Sequence, residues 1–191
     1  MSSTINSDHY DLLSLGSGEA GKYVAWTYRS KIPNSRCAVV EKKWLGGSCP
    51  NIACLPSKNF VHSAKVAYQA KHLQEYGLQT VNGAVDMQAV RERKRDMVNG
   101  LISMHEGKFK ETGVEVIKGN GRFVGEKKIE IELLEGGKKV VTADIVIICT
   151  GSRAAVDNNI PGLKAAAPLT HIEILEIDEV NVLSVPLTPK D

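Results

Sequence analysis

The chain has 191 residues, 42% of them hydrophobic and 24% charged, with a formal net charge of +2. That is the make-up of an ordinary globular domain, and so small a net charge argues against a nucleic-acid or membrane-surface partner. No apolar run reaches the ~20 residues of a membrane span, and the first eight residues, MSSTINSD, are polar, without a basic-then-apolar leader pattern.

Residues 1–8 are therefore expected to be disordered and the compartment to be the reducing cytoplasm, where four cysteines do not make a disulfide scaffold. HYDLLSL (9–15) reads as a short apolar strand that runs into GSGEAG (16–21) and then the helical KYVAWTYRSK. CAVVE (37–41) reads as a second buried strand. After GGSCPNIACLPSK (46–58) comes NFVHSAKVAYQAKHLQEY, with helical apolar spacing, ended by Gly77. Asp86 looks like the N-cap of a second long helix reaching about Lys110, with Gly113 as its stop. Arg91, Arg93, Lys94 and Arg95 form the only dense basic run. With Met87, Val90, Met97, Leu101 and Met104 on the opposite face, it is expected to be a solvated helix face.

Beyond Gly113 the period changes to two. VEVIKG, GRFVG, KKIEIELL and KKVVTAD read as strands, Glu135-Gly136-Gly137 as a turn, and DIVIICTG as a buried strand. The tail from Ser152 carries little period beyond a possible short helix at THIEILEI. The expected fold is α/β in three layers. A parallel sheet at about 10–15, 37–41, 114–118 and 145–149 is covered by helices, with a small antiparallel meander at about 121–142 packed on one side. The domain spans 9–151, and 152–191 is an irregular C-terminal tail.

Gly16-Ser17-Gly18-Glu19-Ala20-Gly21 is a G-x-G-x-x-G run. It follows a strand, opens a helix and sits in a βαβ unit, with Glu41 20 positions after Gly21 at the end of the second strand. The first glycine permits the tight turn and the second lets a pyrophosphate approach the backbone. The third allows close helix–strand packing, while the helix N-terminus attracts phosphate charge and Glu41 suits ribose hydroxyls.

Cys49 and Cys54 stand five apart, between Gly46-Gly47 and Pro56-Ser57-Lys58. In an unbroken helix they would lie ~7.5 Å apart along the axis, beyond the reach of a disulfide. The first is therefore expected in the turn ahead of a helix, with Pro50 fitting an irregular or first-turn position. The second falls near a helix N-terminus, where thiolates are favoured. This describes a redox-active pair better than a staple. Half of a zinc site lacks a second Cys/His pair, so no metal site is expected. Cys37 and Cys149 read as small core residues at strand positions.

Taken together, the fingerprint, Glu41, GGSCPNIACLPSK and ICTGSR…IPG resemble the flavin-dependent pyridine nucleotide-disulfide oxidoreductases over roughly residues 9–179. The mercuric-reductase and dihydrolipoamide-dehydrogenase types are similar, and the first looks closest through SAKVAYQAKHLQEYG and VDMQAVRERK. Ala53 and Leu55 depart mildly from the family pattern. The resemblance implies a Rossmann-like FAD-binding domain. Gly16, Gly18, Glu19, Ala20 and Gly21 would then lie on the FAD pyrophosphate, and Glu41 and Lys42 on the adenosine side. Gly47 and Ser48 would stand beside the cofactor, Asn120-Gly121 near the adenine and Thr150-Gly151 over it. It makes Cys54 the charge-transfer thiol against the flavin, Cys49 the exchange thiol that meets substrate, and Lys58 a lysine near flavin N5.

Family members are more than twice this length, and residues 16–21 are the one dinucleotide fingerprint in this sequence. The expectation is therefore a truncated flavin-binding module that holds FAD weakly or has lost it. It would exchange thiol for disulfide with a small-molecule disulfide, thiol or other organic substrate. NADH or NADPH alone is not expected to drive it through repeated cycles, and it is expected to self-associate through surface left uncovered. The alternative is a shortened relative reused for a non-redox role, binding or converting an organic substrate in the vacated cofactor cleft.

Overall fold

The structure is a computed structural model that describes residues 7–81, 83–157 and 159–179. Residues 1–6 of the expected disordered N-terminus and 180–191 of the expected tail lie outside the described residues. Among the described residues there are five strands: β1 (Ser7–Leu15), β2 (Cys37–Glu41), β3 (Glu115–Gly125), β4 (Lys128–Leu133) and β5 (Lys138–Ile148). The helices are α1 (Glu19–Lys31), α2 (Ser48–Asn51), α3 (Cys54–Lys71), α4 (Met87–Thr112) and α5 (His171–Ile174), with a 3₁₀ turn at Leu73–Tyr76.

β1 lies parallel to both β2 and β5, and β2 lies parallel to β3. β4 pairs antiparallel with both β3 and β5, so the sheet closes on itself in the order β1-β2-β3-β4-β5. The fold is thus the expected α/β architecture, a mixed parallel and antiparallel sheet of the Rossmann-like kind. It differs in how the meander is attached. VEVIKG and GRFVG are one strand, as are KKVVTAD and DIVIIC as far as Ile148. β3 and β5 begin or end in the parallel layer and continue into the meander. Gly119 and Gly121 look like breaks in the sequence, but they sit inside β3 because a Cβ there would strike a neighbour. At Gly119 it would come within 2.6 Å of Ile131, and at Gly121 within 2.7 Å of Leu15.

Alternation along β1 divides the core in two. Leu13 and Leu15 point into the closed sheet with Ala38, Val40, Ile117, Ile129, Ile131 and Val141. Leu12 points the other way, to Ala25 and Trp26 of α1, Val39 of β2 and Phe109 of α4. Helices, parallel strands and meander form the three layers. The caps follow the sequence: Asp86 accepts a hydrogen bond from the Ala89 N–H at 3.0 Å, and Gly113 (φ 70°) closes α4 in the left-handed region.

The basic run of α4 is not a solvated face. Lys94 is buried and bonds Glu176, Arg95 Nη2 lies 2.6 Å from the same carboxylate, and Arg91 pairs with Asp178. Arg93 donates to the Asn59 carbonyl and Ser63 Oγ, while Met104, expected on the apolar face, is exposed. The segment that follows α5 is therefore held on α4 by ion pairs. Thr170 and Glu173 form a capping box at its start, and Leu175 is buried.

Burial pushes the Glu176 carboxyl up, but hydrogen bonds and charge from Lys94 and Arg95 outweigh it and hold its pKa below the ordinary value of 4.5. A depressed folded pKa gives stability that is present above the unfolded value of ~4.3 and lost as pH falls through the folded value. Glu176→Gln should accordingly lower stability at pH 7 by about 1–3 kcal/mol, because it leaves buried Lys94 without its carboxylate. Thermal melts at pH 7 and at ~pH 3 check this: the gap between parent and variant should close at the lower pH.

Candidate functional site

The carboxyl ends of the parallel strands converge on a cleft of about 920 Å³, at the upper end of ligand-site sizes. Its floor is the fingerprint turn. Gly16 (φ 99°) donates its N–H to the Val40 carbonyl at 2.8 Å, and a Cβ on it would lie 2.1 Å from the Cys149 carbonyl oxygen. β1 and β5 therefore meet too closely for any other residue. A Cβ on Gly21 would lie 2.3 Å from the Gly16 carbonyl oxygen, so the third glycine lets α1 seat on β1. Gly18, the N-cap of α1, has no side-chain cap, and Gly18, Glu19 and Ala20 line the cleft. The N-terminus of a 13-residue helix thus opens into it, with the backbone groups and dipole that hold a diphosphate. Lys42, Lys43 and Arg153 supply cations on the same lining. This donor set and the glycine cradle fit the pyrophosphate of FAD.

Glu41 ends β2 beside the fingerprint, but it is already engaged. One carboxylate oxygen accepts from the Ser17 N–H (3.0 Å) and Ser17 Oγ (2.6 Å), the other from the Lys43 and Trp44 N–H groups (2.8 and 3.1 Å). A carboxylate offers about four acceptor positions, so a ribose hydroxyl must share or displace one of these bonds. The buried Ser17 hydroxyl also accepts from the Gly46 N–H at 3.0 Å. Ser17 was not singled out in the sequence, yet it joins the fingerprint to the cysteine loop. Asn120, Gly121, Thr150 and Gly151 line the far side of the cleft, with Trp44 and Cys149 among the residues the sequence did not single out. Cys149 is a half-buried wall of the cleft rather than a core residue, since β5 ends before it, whereas Cys37 is buried as expected.

The cysteines sit on two helices, not one. α2 is a single turn, Ile52 and Ala53 both donate to the Ser48 carbonyl at 2.9 Å, and the chain then breaks before α3 starts at Cys54. That break removes the spacing problem of a continuous helix. Cys49 lies within α2 rather than in the turn ahead of a helix, with Pro50 buried beside it. Both residues are thiols. Asn51 pins the approach by donating to the Leu45 and Gly47 carbonyls at 2.9 and 2.8 Å. The neighbouring Cys54 thiol pushes the Cys49 thiol up. Partial burial and the charges of Cys54 and Glu19 add to this, against the opposing charge of Lys22.

Cys49, Gly47 and Ser48 line the cleft; Cys54 and Lys58 do not appear on its lining. Cys54 is exposed at the start of α3, and Lys58 is exposed one turn later on the same side of the helix. Among the described residues no three His, Cys, Asp or Glu side chains gather as a metal site, and no helix is long and apolar enough to cross a membrane.

The family described as pyridine nucleotide-disulphide oxidoreductase matches residues 10–191. A dihydrolipoyl dehydrogenase of Zymomonas mobilis is 36% identical over 147 residues, covering 77% of this chain and 31% of that protein. A mercuric reductase of Staphylococcus aureus is 34% identical over 176 residues, covering 90% and 30%. The solved Cu(II) complex of the HOCl-induced flavoprotein disulfide reductase RclA from Escherichia coli superposes with a TM-score of 0.72 at 25% identity, over 90% of this chain and 35% of that one. The chain thus spans about a third of the length of the relatives it matches. It belongs to the pyridine nucleotide-disulphide oxidoreductases of class I, FAD-binding flavoproteins, and corresponds to their N-terminal part.

Proposed function

We propose that this chain is a flavin-binding dithiol module that exchanges two electrons between the Cys49/Cys54 pair and a small-molecule disulfide. The observation that carries this reading is the placing of two thiols on adjoining helices, Cys49 in the single turn of α2 on the lining of the dinucleotide cleft and Cys54 at the first position of α3. A Cys49 thiolate attacks one sulfur of the substrate disulfide, whose S–S bond breaks to release the first half as a thiol. The Cys54 thiolate then attacks Cys49 in the mixed disulfide and releases the second half. The dithiol is oxidised to a disulfide, and its two protons and two electrons leave on the products. FAD, when bound, supplies a two-electron carrier for the pair. Glu41, Ser17 and the open N-terminus of α1 bind and orient its adenosine diphosphate portion.

Thiol labelling before and after reduction tests the pair. Two groups should change state, both in the tryptic peptide Trp44–Lys58, while Cys37 and Cys149 label alike in both samples. Full labelling of Cys49 and Cys54 in the oxidised protein would end the redox reading.

The cleft itself is tested at Gly47. It has φ 85°, and a Cβ there would lie 2.5 Å from Gly18 Cα, so alanine adds strain of about 1–3 kcal/mol and pushes the cysteine loop off the fingerprint. Gly47→Ala should weaken FAD at least about tenfold, ~1.4 kcal/mol, in a flavin-fluorescence titration. Gly136→Ala, also at positive φ but facing open space, should leave FAD affinity as it was. Equal FAD affinity in Gly47→Ala and the parent would contradict the assignment of this cleft to the cofactor.

A further inference from the structure

Beneath the cysteine loop lies a buried cation that the exchange chemistry above does not use. Lys22, in the first turns of α1, is 2% exposed, and lysine is almost never this buried without partners. All three of its N–H donors are taken: Glu19 Oε1 at 2.7 Å, the Gly46 carbonyl at 3.1 Å and His105 Nε2 at 2.9 Å. His105, from α4, is also buried, and its Nδ1 lies 2.6 Å from the Leu101 carbonyl. The hydrogen-bond pattern assigns the proton to Nδ1, which donates to that carbonyl and leaves Nε2 to accept from Lys22. The imidazole is thus neutral and the ammonium carries the charge. Trp26 stacks on the imidazole, with ring centroids 6.0 Å apart and planes at 28°. Gly46 (φ 90°) takes a backbone conformation that favours glycine, and a Cβ there would press on the His105 ring at 3.1 Å.

This hub touches both halves of the site. Gly46 is three residues before Cys49 in sequence, and its carbonyl is fixed by Lys22 while its N–H is fixed by Ser17. Glu19 lines the cleft together with Cys49, and its carboxylate is the negative charge that Lys22 neutralises. The charged and titratable groups that act on the Cys49 thiol are Cys54 from α3 and Glu19 and Lys22 from α1, and Glu19 lines the cleft beside it. Those facing Lys22 are Glu19, His105 and, at 5.5 Å, the Tyr23 ring. Cys54 and Glu19 oppose a negative charge on Cys49; Lys22 alone favours it.

We propose that Lys22 is a positioning residue for Cys49: held by His105, it fixes the Gly46 loop and cancels the Glu19 charge, and so sets how much of Cys49 is available as thiolate. The proton that leaves Cys49 goes to solvent, and Lys22 keeps its own. The proposal rests on Cys49 being the attacking thiol of the exchange reaction. Its test, however, reads the thiolate alone and requires neither a disulfide nor flavin.

The test is the rate of iodoacetamide alkylation of Cys49 against pH in the reduced full chain. Peptide fragmentation separates Cys49 from Cys54. Lys22→Met should move the Cys49 profile to higher pH and slow alkylation at pH 7.5 about three- to tenfold, converging on the parent rate at high pH where the thiol is fully ionised. Lys22→Arg should restore most of the loss. Glu19→Gln is half-exposed and independent of how Lys22→Met folds; it should act in the opposite direction and speed alkylation at pH 7.5. A Lys22→Met profile that is lowered equally at every pH, or no change in Glu19→Gln, would overturn the proposal and leave Lys22 a packing residue. Failure of the disulfide-labelling experiment would instead remove the exchange reaction while leaving this profile readable.

Discussion

Everything at the site depends on backbone crossings too tight for a Cβ. The Cys149 carbonyl lies where a side chain on residue 16 would begin, and Gly18 Cα where one on residue 47 would begin. The first contact brings the ends of β1 and β5 together and so creates the mouth of the cleft. The second brings the cysteine loop down onto the phosphate turn. These are steric facts about chain path, and the chemistry is layered over them. The hydrogen bonds that follow, from Ser17 to Glu41 and from Gly46 to Ser17, can form only because the two loops already touch.

Much of this was legible in the sequence, and the reasons divide cleanly. Segments with a sustained period were readable: α4 with Asp86 and Gly113 at its ends, the strands at 9–15 and 37–41, and the fingerprint with an acidic residue closing β2. Local caps and glycine turns follow from residues within a few positions of one another. The single-turn α2 was less readable, because the break at Ile52–Ala53 carries no glycine or proline to announce it.

What remained hidden depended on partners far away in the chain. Lys94 looks like a surface lysine until Glu176, 82 residues later, is folded against it. Lys22 and His105 are separated by 83 residues, and nothing near either one signals the other. Gly119 and Gly121 read as strand breakers because the side chains that exclude a Cβ there, Ile131 and Leu15, belong to other strands. Glu41 was identified as an acceptor, but its use by four internal donors could not be read from its position.

The two long strands have a consequence for how the molecule comes apart. β3 pairs with β2 at one end and β4 at the other, while β5 pairs with β1 and β4 along its length. A boundary between layers is usually where a protein opens locally at less than the full cost of unfolding. Here two continuous backbones cross that boundary, and Ile129 and Ile131 of the meander share one interior with Leu13 and Val40 of the parallel strands. Peeling the meander away would break ladder bonds in strands that the parallel layer also needs. The phosphate turn is thus mounted on a single cooperative unit, and the Gly16 N–H that ties it to Val40 is released only when the barrel itself opens, while the unbonded amides at the start of α1 stay open to the cleft.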